Sequence, residues 1–393
     1  MSKFQTKVIH LNNENPDFSL LEPAVKSLQN NQVIGLPTET VYGLAGNALS
    51  SEAVNKIFEA KRRPRDNPLI CHVSSFEMVG MVADTEKISS TAKTLMDRFW
   101  PGPLTVLLPA RDGVPIEVTA GLPTVAVRMP NHPIALKIIE MAGFPLAAPS
   151  ANTSGKPSST KAMHVYNDFC GEIEYIVDGG SSSEGIESTV ISINPNPIIL
   201  RPGALSYEKI KEIIPNVEIY GKTTSRDHSF ENRPSTPGMK YRHYSPIAQV
   251  YLFEGETQKI NEAINFLILK AMKSGLSYSI LKTHKNSIYS NFSETNESSS
   301  QEEDTKNSFP EQDFKLPLPI QNGNHSIVKK NFIYELGNEQ NLGLIAHNLF
   351  DGLRKSDEMK VDVIFVEGVK EDHEGLAIMN RLRKAASKNF VLN

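Results

Sequence analysis

The chain has 393 residues, of which 39% are apolar and 22% charged, as is typical of a globular protein of two or three domains. Its formal charge of −4 excludes a protein that coats nucleic acid by net positive charge, and its two cysteines form no CxxC or Cys/His array, which argues against a disulfide framework or structural zinc. Without a membrane-length apolar run or a hydrophobic signal core, we expect a soluble, cytoplasmic protein with no membrane partner.

Residues 1–220 alternate short apolar runs with helical patterns, which indicates an α/β domain. A helix is predicted at 51–61, where a serine start precedes an apolar face of Val54, Ile57 and Phe58. Strands are predicted at 33–38, 69–73, 104–109, 124–130, 144–150, 175–180, 188–193 and 198–203, and further helices near 90–99, 132–141, 160–169 and 206–214. Gly, Pro, Ser and Thr gather where many strands end, so we expect the functional site at those connections.

The α/β pattern stops at 221–246, which has the composition of a linker but ends in the aromatic and basic "PGMKYRHYSP". A second α/β pattern then predicts strands at 249–253, 278–281, 332–337 and 361–368, and helices at 257–273, near 339–354 and through "LAIMNRLRKAA". Between them, a serine-rich acidic stretch indicates a disordered insertion at about 285–330. We therefore predict an α/β domain at 1–220, a linker at 221–246 and a second, C-terminal α/β domain at 247–393.

A basic connector, "KRRPR", follows the first predicted helix and places cations at positions 61, 62, 63 and 65. Prolines 64 and 68 restrict its backbone, so the cations are presented from a stiff loop. Arginine forks and a lysine point charge suit a phosphate chain, which they bind through charge-assisted hydrogen bonds. A solvated helix end, with cations facing the negative helix terminus, explains the run equally well.

Other polar segments favour anion binding. "PTETVYGL" (37–44) and "APSANTSGKPSST" (148–160) place hydroxyl, amide and carboxylate groups after predicted strands, and the second segment can cradle an anion although it is no Walker sequence. Arg128 and Arg201 end buried-looking strands, where an arginine needs an anion. No Ser-His-Asp order, GxSxG or HExxH motif occurs, so the residues favour positioning of anions, as in phosphoryl or nucleotidyl transfer.

Six segments in this order and spacing resemble the YrdC-like threonylcarbamoyl-AMP synthases: "PTETVYGL", "EAKRRPRDNPL", "TVAVRMP", "APSANTSGKPS", "ESTVI" and "LRPG". The linker "PGMKYRHYSP" and the C-terminal "GLAIMNRLRKAA" resemble the longer, two-domain form of that family. One departure is Arg62, which stands where the commoner run has glycine. The resemblance implies a twisted α/β sheet with a large open cavity and a smaller Rossmann-like C-terminal domain.

The resemblance also implies an enzyme, a nucleotidyltransferase that forms threonylcarbamoyl-AMP and pyrophosphate from L-threonine, bicarbonate or CO2, and ATP. Mg2+ would come with ATP and not occupy a dedicated protein site. A separate tRNA threonylcarbamoyl transferase would move the group to the adenosine beside the anticodon. Whether this chain itself binds tRNA weakly stays open.

The family pattern assigns roles to particular residues. ATP phosphates would be held by Lys61, Arg63 and Asn67, with Lys61 and Arg63 stabilising the reacting charge, while the part played by Arg62 and Arg65 is left open. The nucleotide side would further include Thr124, Ser150, Asn152, Ser158, Arg201 and Tyr244. L-Threonine would be bound by Thr40, His72, Arg128, Ala148 and Ser188. From the linker, Tyr241, His243 and Tyr244 would form a lid that shields the intermediate from water.

Two other functions stay open on the sequence alone. One is carbamoyl-adenylate formation from carbamoyl phosphate, as in hydrogenase maturation proteins; their zinc-finger modules have no counterpart in a chain with two cysteines. The other is binding of structured RNA without catalysis, which predicts a steep salt dependence and no need for threonine.

Overall fold

The computed structural model describes residues 3–12, 15–222, 243–289, 315–318 and 331–392. Tyr241 of the predicted lid and most of the predicted disordered insertion at 285–330 lie outside the described residues. Within the described ranges, no helix combines the length and the apolar composition that crossing a membrane requires.

The first sheet contains eleven strands in the order β1-β8-β2-β3-β7-β4-β6-β5-β9-β10-β11, with both parallel and antiparallel neighbours. These strands are β1 (Lys7–His10), β2 (Ile34–Leu36), β3 (Gly43–Asn47), β4 (Ile70–His72), β5 (Leu104–Pro109), β6 (Thr124–Arg128), β7 (Leu146–Ala147), β8 (Tyr175–Asp178), β9 (Thr189–Ser192), β10 (Ile198–Arg201) and β11 (Glu218–Ile219). On β8, Ile176 and Val177 belong to different apolar clusters because successive side chains point to opposite faces. The sheet is therefore covered on both faces there.

Helices surround this sheet: α1 (Glu22–Gln29), α2 (Ser51–Lys61), α3 (Phe76–Val79), α4 (Ser90–Phe99), α5 (Ile116–Thr119), α6 (Pro133–Ala142), α7 (Ala162–Phe169) and α8 (Tyr207–Ile213). Helix α2 begins where the Ser50 side chain accepts a hydrogen bond from the Ala53 amide at 3.3 Å, and it buries Ile57 and Phe58. It ends at Arg62, whose φ of 52° is left-handed and turns the chain into the basic connector.

The second sheet has five strands in the order β14-β13-β15-β12-β16, and all its neighbouring pairs are parallel. Its elements are β12 (Gln249–Gly255), α9 (Thr257–Lys273), β13 (Tyr278–Lys282), β14 (Phe332–Glu335), α10 (Leu342–Glu358), β15 (Val363–Glu367), α11 (Glu374–Ala385) and β16 (Lys388–Leu392). Along β12, Val250 and Leu252 pack with α10 and α11, whereas Tyr251 and Phe253 pack with α9. Both faces are thus buried, as parallel sheets require.

Helix α10 packs directly against α7 and the loops of the first sheet. Arg354 lies 2.9 Å from Asp168 of α7, and Asp351 lies 2.8 Å from Lys161, which precedes α7. Gly185 has a left-handed φ of 73°, and a Cβ there would lie 2.3 Å from the Cα of His347. Because only glycine permits this approach, the loop before β9 closely fits the helix. The predicted α/β class, a large sheet followed by a smaller one, is confirmed.

Candidate active site

A cavity of about 900 Å3, including open solvent at its mouth, lies beside the central strands of the first sheet. His72, Arg128 and Arg201 are the last residues of β4, β6 and β10, and all three line it. The site therefore lies where those strands end, as expected. Further lining residues come from the end of α2, from loops and from the linker: Thr38, Thr40, Lys61, Arg63, Asp66, Asn67, Ala148, Ser150, Asn152, Lys156, Glu187, Ser188, His243 and Tyr244.

Two predicted site residues do not line this cavity. Thr124 is the first residue of β6, at the other end of the strand from Arg128. Ser158 is buried, and its hydroxyl donates to Glu187 Oε1 at 2.6 Å. Arg62 and Arg65 are exposed and also lie outside the lining. The cavity brings together the other predicted residues that the structure describes, from both the nucleotide and the threonine groups.

Lys61 connects the basic connector to the segment after β7. Its ammonium is buried and donates to the backbone carbonyls of Ser150 and Asn152, the latter at 2.5 Å. Burial lowers its pKa well below the ordinary lysine value, and the charge of Arg63 adds to this effect. An anion in the cavity would therefore stabilise the protonated lysine.

Arg63 and Asn67 lie on the same connector. The Arg63 Nη2 atom donates to the carbonyls of Asn67 and Pro68 at 3.2 and 3.3 Å, so the guanidinium stabilises the conformation of the connector that carries it. Burial lowers the pKa of Arg63 to about 10, which still leaves it charged at neutral pH. Asn67 is buried, and its Oδ1 has no hydrogen-bond partner among the described residues. An unsatisfied polar atom beside a cavity is typical of a ligand contact.

Arg128 is the centre of a second buried group. Its Nε donates to the Gly102 carbonyl at 3.1 Å, and its Nη1 donates to Thr40 Oγ1 at 2.8 Å. Its Nη2 lies 2.6 Å from Glu39 Oε1 in a buried ion pair. Glu39 belongs to the quoted "PTETVYGL" segment, but sequence reasoning did not pair it with Arg128. An incoming carboxylate would share Arg128 with this internal counter-charge.

His72 is a neutral hydrogen-bonding group in this site. Burial and then the charge of Arg128 lower its pKa to about 3. Its Nδ1 lies 3.2 Å from the Ile70 carbonyl, which requires the proton on Nδ1 and leaves Nε2 as an acceptor 3.5 Å from Arg128 Nη1. At neutral pH the imidazole can therefore accept a hydrogen bond or contact a ligand.

Arg201 and Ser188 meet because Gly203 lets two backbone segments approach. A Cβ at Gly203 would lie 2.3 Å from the Ser188 carbonyl carbon. Arg201 Nη2 donates to the Ser188 carbonyl at 2.9 Å, and the Ser188 hydroxyl lies 2.8 Å from Thr105 Oγ1. Burial lowers the pKa of Arg201. The glycine of "LRPG" thus fixes a cation beside a serine hydroxyl.

The end of the linker closes one side of the cavity. Tyr244 has a left-handed φ of 62° and is only 6% exposed. Its ring centroid lies 5.2 Å from that of Phe350 on α10, and the next amide, Ser245 N, donates to the Gly155 carbonyl at 2.8 Å. Burial and nearby Glu187 raise its pKa to about 12, so the phenol stays neutral.

Sequence reasoning missed two charged residues that join the sheets here. Glu187 lies in the quoted "ESTVI" segment but was given no role, and its Oε2 accepts from Arg381 Nε of α11 at 3.0 Å. Burial alone would raise the pKa of Glu187, but Arg381, Arg201 and the Ser158 hydroxyl outweigh it and hold the pKa below its usual value. The available signal was an arginine on the apolar stripe of "GLAIMNRLRKAA", since such a charge needs a buried partner.

In the part of the chain that the structure describes, no three His, Cys, Asp or Glu side chains cluster as metal ligands. The cavity instead presents the cations of Lys61, Arg63, Arg128 and Arg201. Such an arrangement can bind an anion and stabilise negative charge that develops on it.

Known proteins share this sequence and fold. One family model, described as "Telomere recombination", matches residues 26–203, and another, described as "Threonylcarbamoyl-AMP synthase, C-terminal domain", matches residues 205–387. The threonylcarbamoyl-AMP synthase of Pyrococcus abyssi is 42% identical over 369 residues, which cover 93% of each chain. The chain belongs to the threonylcarbamoyl-AMP synthase family.

A second relative and a solved structure also place this chain in the threonylcarbamoyl-AMP synthase family. The Bacillus subtilis threonylcarbamoyl-AMP synthase is 40% identical over 370 residues, covering 94% of this chain and 93% of its own. The crystal structure of P. abyssi Sua5 complexed with L-threonine has a TM-score of 0.80 and 39% identity, covering 98% of this chain and 100% of its own. The predicted family and its two-domain form are confirmed.

Proposed function

We propose that this family member is a nucleotidyltransferase that joins L-threonine, bicarbonate or CO2, and ATP into threonylcarbamoyl-AMP, with release of pyrophosphate. The observation that carries the proposal is a single cavity in which the buried cations Lys61 and Arg201 and the partly buried Arg63 lie with the Arg128 group. One end of such a cavity suits a polyphosphate and the other an amino-acid carboxylate. The product would pass to a transferase that modifies tRNA beside the anticodon.

The proposed subsites follow the two groups of side chains. Lys61, Arg63 and Asn67 would hold the ATP phosphates. The rest of the nucleotide would contact Ser150, Asn152, Arg201 and Tyr244. L-Threonine would contact Thr40, His72, Arg128, Ala148 and Ser188, all of which line the cavity. Ser158 would act only indirectly, through Glu187, and Thr124 would take no direct part, because neither lines the cavity.

The reaction would form one carbon–nitrogen and one phosphorus–oxygen bond. The threonine nitrogen attacks the carbon of CO2 and loses a proton, which gives N-carboxythreonine. An oxygen of the new carboxylate then attacks the α-phosphorus of ATP, and the bond to the bridging oxygen breaks so that pyrophosphate leaves. Lys61 and Arg63 would stabilise the charge that builds on the phosphates. His72 would orient threonine, since a pKa of about 3 makes it a poor base at neutral pH.

Mg2+ would come with the nucleotide. It would neutralise the phosphate oxygens as ATP binds. The cavity offers it no carboxylate cage among the described residues, and the cations there suit phosphates better than a free metal ion.

Tyr244 and His243 would form the lid over the reactive adenylate. Tyr244 lines the cavity while its ring packs on Phe350, so it can exclude water from one side. Tyr244→Ala should consume more ATP per threonylcarbamoyl-AMP formed. An unchanged ratio of ATP consumed to product would disprove the lid.

A pyrophosphate-release assay tests the proposed function. The pure protein is incubated with ATP, Mg2+, bicarbonate and L-threonine, and each component is omitted in turn. Release should require threonine. Release with carbamoyl phosphate in its place would indicate a carbamoyl-adenylate synthase, and no release together with salt-sensitive RNA binding would indicate an RNA-binding protein.

A further inference from the structure

Helix α11 of the second sheet places one arginine against the first sheet's cavity wall. We propose that Arg381 is a positioning residue for nucleotide binding. It neutralises the carboxylate of Glu187, so that this carboxylate can line a polyphosphate site. This inference rests on the proposed function only in taking the ligand to be a nucleotide. It gives the second sheet a direct part in a site built from the first.

The contacts of Arg381 support this role. The side chain is fully buried, its Nε lies 3.0 Å from Glu187 Oε2, and its Nη1 donates to the carbonyls of Pro202 and, at 3.4 Å, Ala377. The other carboxylate oxygen, Glu187 Oε1, accepts from Ser158. One guanidinium thus joins α11, the residue after β10 and the loop before β9.

Glu187 needs this partner because of where it lies. It lines the same cavity as Lys61 and Arg63, and it directly precedes Ser188, whose carbonyl binds Arg201. A carboxylate there would repel a polyphosphate unless a nearby cation offset its charge. Arg381 Nε forms an ion pair with this carboxylate at 3.0 Å and is the larger of the two cationic influences on it, the other being Arg201.

Arg381 also lies against the lid residue. Its Cζ is 6.0 Å from the centre of the Tyr244 ring, a distance at which a cation and an aromatic face attract. The same side chain therefore contacts both the charged wall of the cavity and its cover. Loss of Arg381 should affect nucleotide binding more than it affects the second sheet itself.

The test compares ATP–Mg2+ binding by calorimetry, without threonine. Arg381→Met should weaken binding by about tenfold or more, since a buried carboxylate loses its partner and faces the phosphates. The matched control is Arg383→Met on the same helix. Arg383 pairs with Glu254 and Glu371, is 42% exposed in its side chain and does not line the cavity, so its loss should leave binding unchanged.

Charge rescue separates positioning from simple structural support. The double variant Arg381→Met/Glu187→Gln should regain most of the lost affinity because the unpaired charge is gone, and Arg381→Lys should keep most of it. If Arg381→Met fails to fold, Arg381→Gln takes its place, because it removes the charge and keeps hydrogen-bond donors: it should bind ATP about tenfold more weakly than the wild type, Arg381→Gln/Glu187→Gln should regain most of the affinity, and wild-type affinity in Arg381→Gln would overturn the role.

The outcomes distinguish this inference from the proposed function. Wild-type affinity in Arg381→Met, or a double variant as weak as the single one, would overturn the positioning role alone. A wild type that binds ATP but releases no pyrophosphate with threonine would overturn the function and leave the binding comparison valid. A wild type that binds no ATP would overturn both.

Discussion

The two sheets each bury charged side chains, but they satisfy them differently. At the end of β15, the fully buried Glu367 accepts from the amides of Thr283 and His284 at 2.5 and 2.9 Å and from the Tyr289 hydroxyl. At the first sheet's cavity, Asn67 Oδ1 has no hydrogen-bond partner among the described residues, and beside the cavity Glu39 Oε1 lies 2.6 Å from Arg128 Nη2 in a buried ion pair.

This difference indicates what each cluster is for. The donors to Glu367 all lie in the segment after β13, so the carboxylate links that segment to β15 and stabilises the fold. The cavity leaves Asn67 Oδ1 without a partner and crowds the cations Lys61, Arg63 and Arg201, which costs folding stability. An anionic ligand would offset that cost. Substitutions should therefore reduce activity in the first cluster and stability in the second.

Arg63→Ala should have the largest effect. Turnover at saturating substrates should fall by about 100-fold or more, because a positioned charge that stabilises the reacting phosphates is lost. The urea midpoint of unfolding should hardly move. Pyrophosphate release and urea titration check the two halves of this prediction.

The matched control for Arg63 is Arg65→Ala, since Arg65 is an exposed cation two residues away that does not line the cavity. Its turnover should stay normal. Equal losses in both variants would mean that general positive charge matters and not the position of Arg63.

Arg128→Met should raise the KM for L-threonine by about tenfold or more while leaving ATP binding unchanged, since the amino-acid carboxylate loses its partner. Steady-state kinetics with each substrate varied measures this. The double variant Arg128→Met/Glu39→Gln removes both charges of the internal pair and should keep the high KM. If it regains threonine affinity, the effect came from unpaired Glu39 and Arg128 does not bind the carboxylate.

Tyr289→Phe should destabilise the second sheet by about 2 kcal/mol, because it removes a hydrogen bond to a buried carboxylate. Turnover at a temperature well below unfolding should not change. A shift in the urea midpoint with normal pyrophosphate release is the expected result. A fall in turnover without loss of stability would contradict the contrast between the two clusters.

His72→Gln should alter the pH dependence of stability. The folded pKa of about 3 lies below the ordinary 6.5, so below pH 6.5 the unfolded chain binds a proton that the native state does not. The wild type therefore loses stability as pH falls, by about 2 kcal/mol at pH 5. Relative to the wild type, His72→Gln should gain this amount between pH 8 and pH 5, measured by urea unfolding.

The baseline for the histidine experiment is pH 8, where the His72 ring is neutral in the folded and the unfolded chain, so that the difference in stability between the wild type and His72→Gln reports only the lost contacts. If the free energies of unfolding of the wild type and His72→Gln depend on pH in the same way, the native state binds a proton on the His72 ring as the unfolded chain does, and the low native pKa is wrong.

Sequence patterns predicted the elements whose signals are local. Helices α2 and α9 match the predicted ranges 51–61 and 257–273, since apolar periodicity marks both. Strand β3 (Gly43–Asn47) was missed because glycine and asparagine have low strand propensity, and its pairing with β2 and β7 is what holds it. Strand β16 was also missed, because the pairing with β12 that forms it joins residues far apart in the chain.

In the candidate site, too, local motifs were predicted from the sequence and contacts between distant residues were not. Family motifs indicated the cations of the connector and of the strand ends; Lys61, Arg63, Arg128 and Arg201 line the cavity, whereas Arg62 and Arg65 do not. Ser158 was predicted as a nucleotide contact, but its hydroxyl is directed to Glu187. The partner of Glu187 could not be read from the sequence, because 194 residues separate it from Arg381 and only the packing of α11 joins them.

That separation has a consequence for biosynthesis. At usual rates of translation, roughly 10 to 40 seconds pass between the addition of Glu187 and the addition of Arg381 to the growing polypeptide. During that interval Glu187 has Ser158 and Arg201 of the earlier domain as partners but still lacks Arg381. If Arg381 positions Glu187 as proposed, the nascent protein would bind ATP weakly on the ribosome and reach full affinity once α11 has docked.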